Sequence, residues 1–241
     1  MTVQPESYAG TGKSEKVASM FDSIASRYDL LNRVLSGGID KRWRKKVIDL
    51  LIDVHPKQLL DIATGTGDLA LEAVRLNPDK IIGLDISEGM LAIGRQKIKE
   101  KHLDTLIRLE KGDSTNLPYS NGSFDAVTVA FGVRNFDDLE KGLREMLRVA
   151  RPGGKVVILE FSMPEKFPIK QLYSFYSRKI MPFIGQLLSH QRAAYEYLPD
   201  SVQQFPYGNA FIKIMDECGY KDTKAISLTF GIASIYSGIK H

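Results

Sequence analysis

"LLDIATGTGD", residues 59–68, runs from an apolar pair through an acid into two glycines set around Thr66. A Gly-rich turn at the carboxyl end of a parallel strand lets backbone approach a ligand closely, and a helix starting there offers free N–H groups. The flanking chain agrees with that placement. Apolar runs recur at residues 58–63, 80–86, 106–113, 124–132 and 155–161, with connecting segments starting near Asp68, Glu88 and Asp137 and at "NLPYSNGS", residues 116–123. Short apolar runs separated by helices indicate a parallel sheet covered on both faces. "RPGG", residues 151–154, reads as the turn feeding the fifth run, and after residue 210 a helix, a stop at Gly219 and two more strands follow. The expected fold is α/β, a doubly wound and mostly parallel seven-stranded sheet.

The 241 residues, 43% of them hydrophobic, suffice for one large core, so a single domain is expected over 1–241. Within it, residues 1–16 are polar and read as a flexible N-terminus, and 17–55 as helices, interrupted by Gly37-Gly38 with Asp40 capping the second. Residues 162–210 read as a Tyr- and Phe-rich insert that can act as a lid. No apolar run reaches 18 residues and the first residues lack the apolar segment of a secretory signal, so a cytoplasmic protein is expected. The single cysteine, Cys218, excludes an internal disulfide and a multi-cysteine zinc site within the chain. A net charge of +4 allows contact with an anionic surface without requiring it.

The loop by itself suits any nucleotide-like ligand. "GTGDLA" satisfies a dinucleotide pattern with Ala70 in the third glycine position, and Asp85 lies twenty residues after Gly65, where a ribose-binding acid belongs. Three acids narrow the choice. Asp61, before the glycines, would repel a pyrophosphate but can pair with an ammonium group. Asp85 can accept from two ribose hydroxyls with Ile86 against the adenine, and Asp113 with Ser114 can meet the adenine amino group. Acids at three successive strand ends match the donors of S-adenosylmethionine (SAM), a cation without phosphate. Asp61, Gly65, Thr66, Gly67, Asp85, Ile86, Asp113 and Ser114 are therefore the candidate cofactor residues. No metal is expected, because Asp137-Asp138 reads as an acidic helix start.

These stretches, with "RVARPGGKVVILEFS" at 148–162, resemble the successive motifs of class I SAM-dependent methyltransferases. "YDLLNRVLSGGIDKRW" at 28–43 and residues 148–162 are similar to the two signatures of the menaquinone and ubiquinone biosynthesis C-methyltransferases, and "FYSRKIMPFIGQLLS" and "AYEYLPDSVQQFP" in the insert follow the same pattern. The likeness spans nearly all of the chain after residue 16. Asp40 stands where that family commonly has a histidine, Leu31 where it has a methionine, and Ala150-Arg151 where it has an aliphatic residue and a lysine. No role is carried over to position 40.

The resemblance implies a Rossmann-like fold and methylation of a ring carbon of a reduced polyprenyl quinol: demethylmenaquinol first, with a benzoquinol as the alternative. The ring of a hydroquinone becomes nucleophilic as a hydroxyl proton leaves, so the protein must align, exclude water and steady the phenolate. Arg134 and Asn135 in "AFGVRNF" are the candidates for holding the quinol oxygens. Arg134 acts by charge because guanidinium is too basic to accept a proton readily. Tyr28, Asp29, Tyr195 and Tyr197 are candidates for closing over the ring. His190 is a base by chemistry alone. A polyprenyl tail calls for contact with the inner face of a membrane, through "KRWRKK" or the insert. A homo-oligomer is compatible with the sequence. Nucleic acid is not expected as a partner, since "FGVRNF" replaces the Asn/Asp-Pro-Pro-aromatic motif of amino-directed DNA enzymes and Cys218 is misplaced for cytosine attack. An RNA or other small-molecule methyltransferase, a dehydrogenase and a SAM-binding scaffold are the weaker alternatives.

Overall fold

The structure, a computed structural model, describes residues 4–180, 183 and 192–241. His190 lies outside that set, as do the side chains of Arg192, Ala193, Tyr195 and Glu196. Seven strands form one sheet: β1 (Gln58–Ile62), β2 (Lys80–Asp85), β3 (Ile107–Lys111), β4 (Phe124–Ala130), β5 (Ala150–Phe161), β6 (Lys221–Leu228) and β7 (Ala233–Ile239). Their spatial order is β3-β2-β1-β4-β5-β7-β6, parallel except for β7, which runs against both neighbours.

Alternation of side chains across the strands divides the core. Leu59, Ile81, Ala126 and Val157 face one layer with Val47, Leu69 and Leu91, while Leu60, Ile82, Val127 and Val156 face the other with Leu143, Met146 and Phe211. Helices α2 (Ile39–Asp49), α3 (Asp68–Ala73) and α4 (Glu88–Glu100) cover the first face. Helices α5 (Leu139–Val149) and α8 (Asn209–Glu217) cover the second. The winding therefore reverses between β1 and β4, and such a reversal leaves a crevice beyond the carboxyl ends of those strands.

Helix α1 (Lys13–Ser36) and the insert, with α6 (Ile169–Phe175), a π-helical turn (Tyr176–Ile180) and α7 (Arg192–Gln204), roof that crevice. The Tyr176 hydroxyl ties them together by donating to the Leu35 carbonyl at 2.5 Å.

Four local expectations change. Helix α1 begins at Lys13, inside the segment expected to be flexible, because the Lys13 ammonium donates to the carbonyls of Phe136 (2.6 Å) and Arg134 (3.2 Å). Asp40 is inside α2 and pairs with Arg44, while Gly38, in the left-handed conformation, caps the helix. "RPGG" is a bulge within β5, between the pairs Phe124↔Ala150 and Ala126↔Lys155. "NLPYSNGS" contains no helix.

Candidate active site

Three adjoining cavities open beyond β1 and β4. The first, of about 650 Å³ with its mouth, lies over the glycine loop between Gly65, Asp85, Ile86, Met90, Asp113 and Asn135. Among the described residues, no lysine or arginine lines it. The second, of about 1230 Å³, lies under the roof helices against Phe131 and Phe161. The third, of about 320 Å³, sits beneath the loop at Asp61, Thr64, Thr66 and Arg44. Tyr28 borders all three, partly buried, its hydroxyl pushed up by that burial.

Backbone geometry explains why the cavities meet here. Ala63 and Phe131, the residues leaving β1 and β4, both take positive φ, 50° and 59°. Such a conformation is uncommon for residues with a side chain and turns each strand end abruptly aside. The two turns abut so closely that a Cβ on Gly132 would stand 2.4 Å from the Ala63 Cβ. Nothing in the local sequence marks Ala63 or Phe131 as left-handed.

The acids are placed as their spacing suggested, but each already has work inside the protein. Asp85 accepts from the Gly65 N–H at 2.8 Å and the Ser87 N–H at 2.9 Å, so the twenty-residue separation becomes a direct contact fixing the loop. Burial pushes its carboxyl up, and the backbone donors pull it partly back. Asp61 is 1% exposed and accepts from the hydroxyls of Thr64 (2.6 Å) and Thr128 (2.8 Å); burial pushes it up to about 6. Asp113 accepts from the Thr115 N–H and hydroxyl at 2.8 and 2.9 Å while facing the first cavity beside Ser114. Each carboxylate oxygen keeps a second lone pair.

Thr66 sits at the third cavity, but its hydroxyl donates to Asp29 at 2.6 Å, and Lys97 joins the same cluster. Asp29 thus clamps the loop to α1 and lines none of the three cavities. Gly67, φ +80°, caps α3 and lines none of the three cavities.

Arg134 is on the wall of the second cavity and in a buried ion pair, which the sequence reading missed. Its Nη1 donates to Glu160 at 2.7 Å and to the Phe131 carbonyl at 2.6 Å, leaving Nη2 outside these contacts. Glu160, from β5, is fully buried and its carboxyl is pushed up by burial, with Arg134 pulling it back. A lone acid in "VVILEF" was the available signal, since a charge inside an apolar strand needs a cation. Asn135 accepts from the Tyr197 hydroxyl at 2.9 Å at the border of the first cavity. Trp43, Asp40 and Arg44, which no motif argument selected, line the second.

The reversal point, acid-lined cavity and adjoining apolar cavity define a class I SAM-dependent methyltransferase. A protein of Thermotoga maritima titled a SAM-dependent methyltransferase superimposes with a TM-score of 0.64 over 93% of this chain and 99% of its own, at 19% identity, a likeness of fold. The chain belongs to the ubiE/COQ5 methyltransferase family, whose profile matches residues 10–240. It is similar to the demethylmenaquinone methyltransferase of Bacteroides fragilis, 46% identical over 97% of this chain and 96% of that one. The ubiquinone/menaquinone biosynthesis C-methyltransferase of Geobacter sulfurreducens is 47% identical over 97% and 91%.

Proposed function

We propose that the chain transfers the sulfonium methyl of SAM to a ring carbon of a reduced polyprenyl quinol, demethylmenaquinol in preference to a benzoquinol. The observation that carries this reading is the pairing of cavities. A cavity with acids and, among the described residues, no basic side chain, suited to a cation, adjoins a larger one with mostly apolar and aromatic walls, and Phe21, Tyr28 and Phe131 border both. The first and third cavities suit the cofactor, with Asp85 toward the ribose, Asp113 and Ser114 toward the adenine, Ile86 against its face and Asp61 toward the ammonium.

SAM supplies an activated methyl group. The protein's residues do the rest. Tyr28 at the junction positions the ring, the Nη2 arm of Arg134 steadies charge on the oxygen whose proton passes to water, the ring carbon sheds its own hydrogen as a proton once the methyl has arrived, and Asn135 with Tyr197 fixes the entry side. The buried Glu160 holds Arg134 in place, so little reorganisation accompanies charge development.

No described helix is long and apolar enough to cross a membrane. Contact with a membrane surface is assigned to the face around α6. Phe167, Leu172 and Phe175 are 81%, 62% and 62% exposed among exposed Lys166, Lys170 and Arg178, while Tyr173 and Tyr176 turn inward to the second cavity. Apolar side chains interleaved with cations suit an anionic lipid surface beside the entrance for a polyprenyl tail. "KRWRKK" divides differently, since Trp43 and Arg44 are buried in the core.

The direct test offers the chain SAM with demethylmenaquinone in phospholipid vesicles, reduced or oxidised, and a benzoquinone in the same two states. C-methylated product is expected from the reduced forms only, and faster from the naphthoquinol. Absence of product from every reduced quinol rejects the proposal.

Asp61 adds a pH dependence. In the unfolded chain it ionises near 3.8 and in the folded protein near 6, so between these values the folded state holds the extra proton and stability falls as pH rises. An ammonium ligand favours the ionised form and offsets that loss. Affinity for S-adenosylhomocysteine, which has the same ammonium, is therefore expected to weaken below pH 6, by up to about tenfold per pH unit. Calorimetry from pH 5 to 8 reads this directly. Asp61→Asn should flatten the profile, and an unchanged profile would remove Asp61 from the ammonium site.

A further inference from the structure

The second cavity contains a polar stripe of which the reaction as described uses only Tyr28. Tyr28, Asn32 and Ser36 on α1, then Asp40 and Arg44 on α2, fall at every fourth residue, and all five line one wall. Asp40 and Arg44 are 5% and 7% exposed. The Ser36 hydroxyl donates to one Asp40 oxygen at 2.7 Å and the Arg44 guanidinium to the other.

The same cavity is lined by Arg134, which pairs with the buried Glu160. The two arginines flank a shared aromatic floor: Arg44 lies 5.9 Å from the centre of the Phe131 ring, Arg134 lies 5.5 Å from that of Phe161, and the two rings stack at 4.3 Å. The cavity thus carries two arginines, each beside a different ring of the stacked pair and each paired with a carboxylate. The pairs are not equivalent. Glu160 is fully buried behind Arg134 and does not reach the wall, whereas Asp40 does.

We infer that Asp40 accepts a hydrogen bond from the second hydroxyl of the hydroquinone, and so selects the reduced ring over the oxidised one. This rests on the quinol reading above. A 1,4-hydroquinone has hydroxyls on opposite sides of its ring, which calls for two separate polar stations, and the cavity offers two, one beside each ring of the stacked pair. An ionised carboxylate only accepts. A hydroxyl can donate to it, but the carbonyl of a quinone has no proton and would set lone pair against lone pair in a site with little water. Arg44 pairs with the carboxylate and holds it in position. Asp40 is therefore a specificity-determining group, with no proton transferred to it.

The test uses a short-tailed 2-prenyl-1,4-naphthoquinone. KM for its reduced form and the inhibition constant of its oxidised form are measured in the full chain and in Asp40→Asn, whose amide nitrogen can donate to a carbonyl. Hydrogen bonds to charged groups contribute about 1.5–3 kcal/mol, so the oxidised form should bind about ten- to a hundredfold more weakly than the reduced form in the native chain. Asp40→Asn should narrow that ratio at least about tenfold, raising KM for the quinol more than it lowers kcat. Asp40→Glu should retain the native ratio, and cofactor affinity should stay constant throughout. Should Asp40→Asn fail to fold, Asp40→Asn combined with Arg44→Gln removes both charges together; there the ratio of oxidised to reduced ring is read alone, since Arg44 also lines the third cavity. An unchanged ratio in a folded Asp40→Asn protein, or a ratio lost equally in Asp40→Glu, overturns the assignment. If the native chain methylates no reduced quinol, the parent reading fails instead, and the two failures are distinct.

Discussion

Asp85→Ala should lower the affinity for SAM by more than about a hundredfold while the chain remains folded. The first half follows from the doubled use of this carboxylate. It is the ribose acceptor of the proposed site, and it also holds the N–H groups of Gly65 and Ser87, which set the loop and the start of α4. Removal leaves two donors without their acceptor, at about 1–3 kcal/mol each where water cannot replace it, besides the lost charge-assisted bonds to the ligand. The second half follows from the electrostatics. Burial pushes the Asp85 carboxyl up, so folding places this acid in a poor environment, and its removal recovers part of that cost. Calorimetric titration with S-adenosylhomocysteine, alongside a melting curve, measures both. A Kd within about tenfold of the native value would show that the ribose is held elsewhere.

Arg134→Ala should leave cofactor affinity intact and slow methyl transfer by about 10²–10³-fold, the usual loss when one fixed donor to a developing oxyanion is removed. It should also destabilise the protein by about 3–5 kcal/mol, because Glu160 is left as a buried charge without its cation. The two effects need separating, since a rate loss in a damaged fold says little. Arg134→Ala combined with Glu160→Gln does so. Neutralising the acid should restore much of the melting temperature, yet the rate should stay low, because the arm facing the quinol is still missing. Recovery of rate together with stability would make Arg134 a structural residue only.

The ordering of cavities also explains a division of labour. The residues proposed for the cofactor come from the β1–β3 side, the stacked aromatic pair from the ends of β4 and β5, and the roof from α1, α2, α6 and α7. The acceptor site is thus assembled from segments distant in the chain. Asn135 and Tyr197, 62 residues apart, meet only because α7 packs over the turn after β4.

Local pattern carried much of this protein. The apolar runs found β1 to β5, of which β1, β2 and β4 are apolar along most of their length because they are buried on both faces. The three acids and the glycines pointed to a cation site, because strand ends in a doubly wound sheet share one edge. What a one-dimensional reading could not supply were long-range partners and backbone strain. Glu160 behind Arg134, Asp29 on Thr66 and Lys13 on Phe136 are contacts whose strength depends on mutual burial, a property of packing that no single segment encodes. The left-handed turns at Ala63 and Phe131 are imposed by neighbouring strand ends, not by the residues themselves. The sequence by itself determined the sheet and the class of cofactor. Only the tertiary structure decided which side chains line the acceptor cavity, since there a polar group's role depends on which oxygen or ring it meets across space.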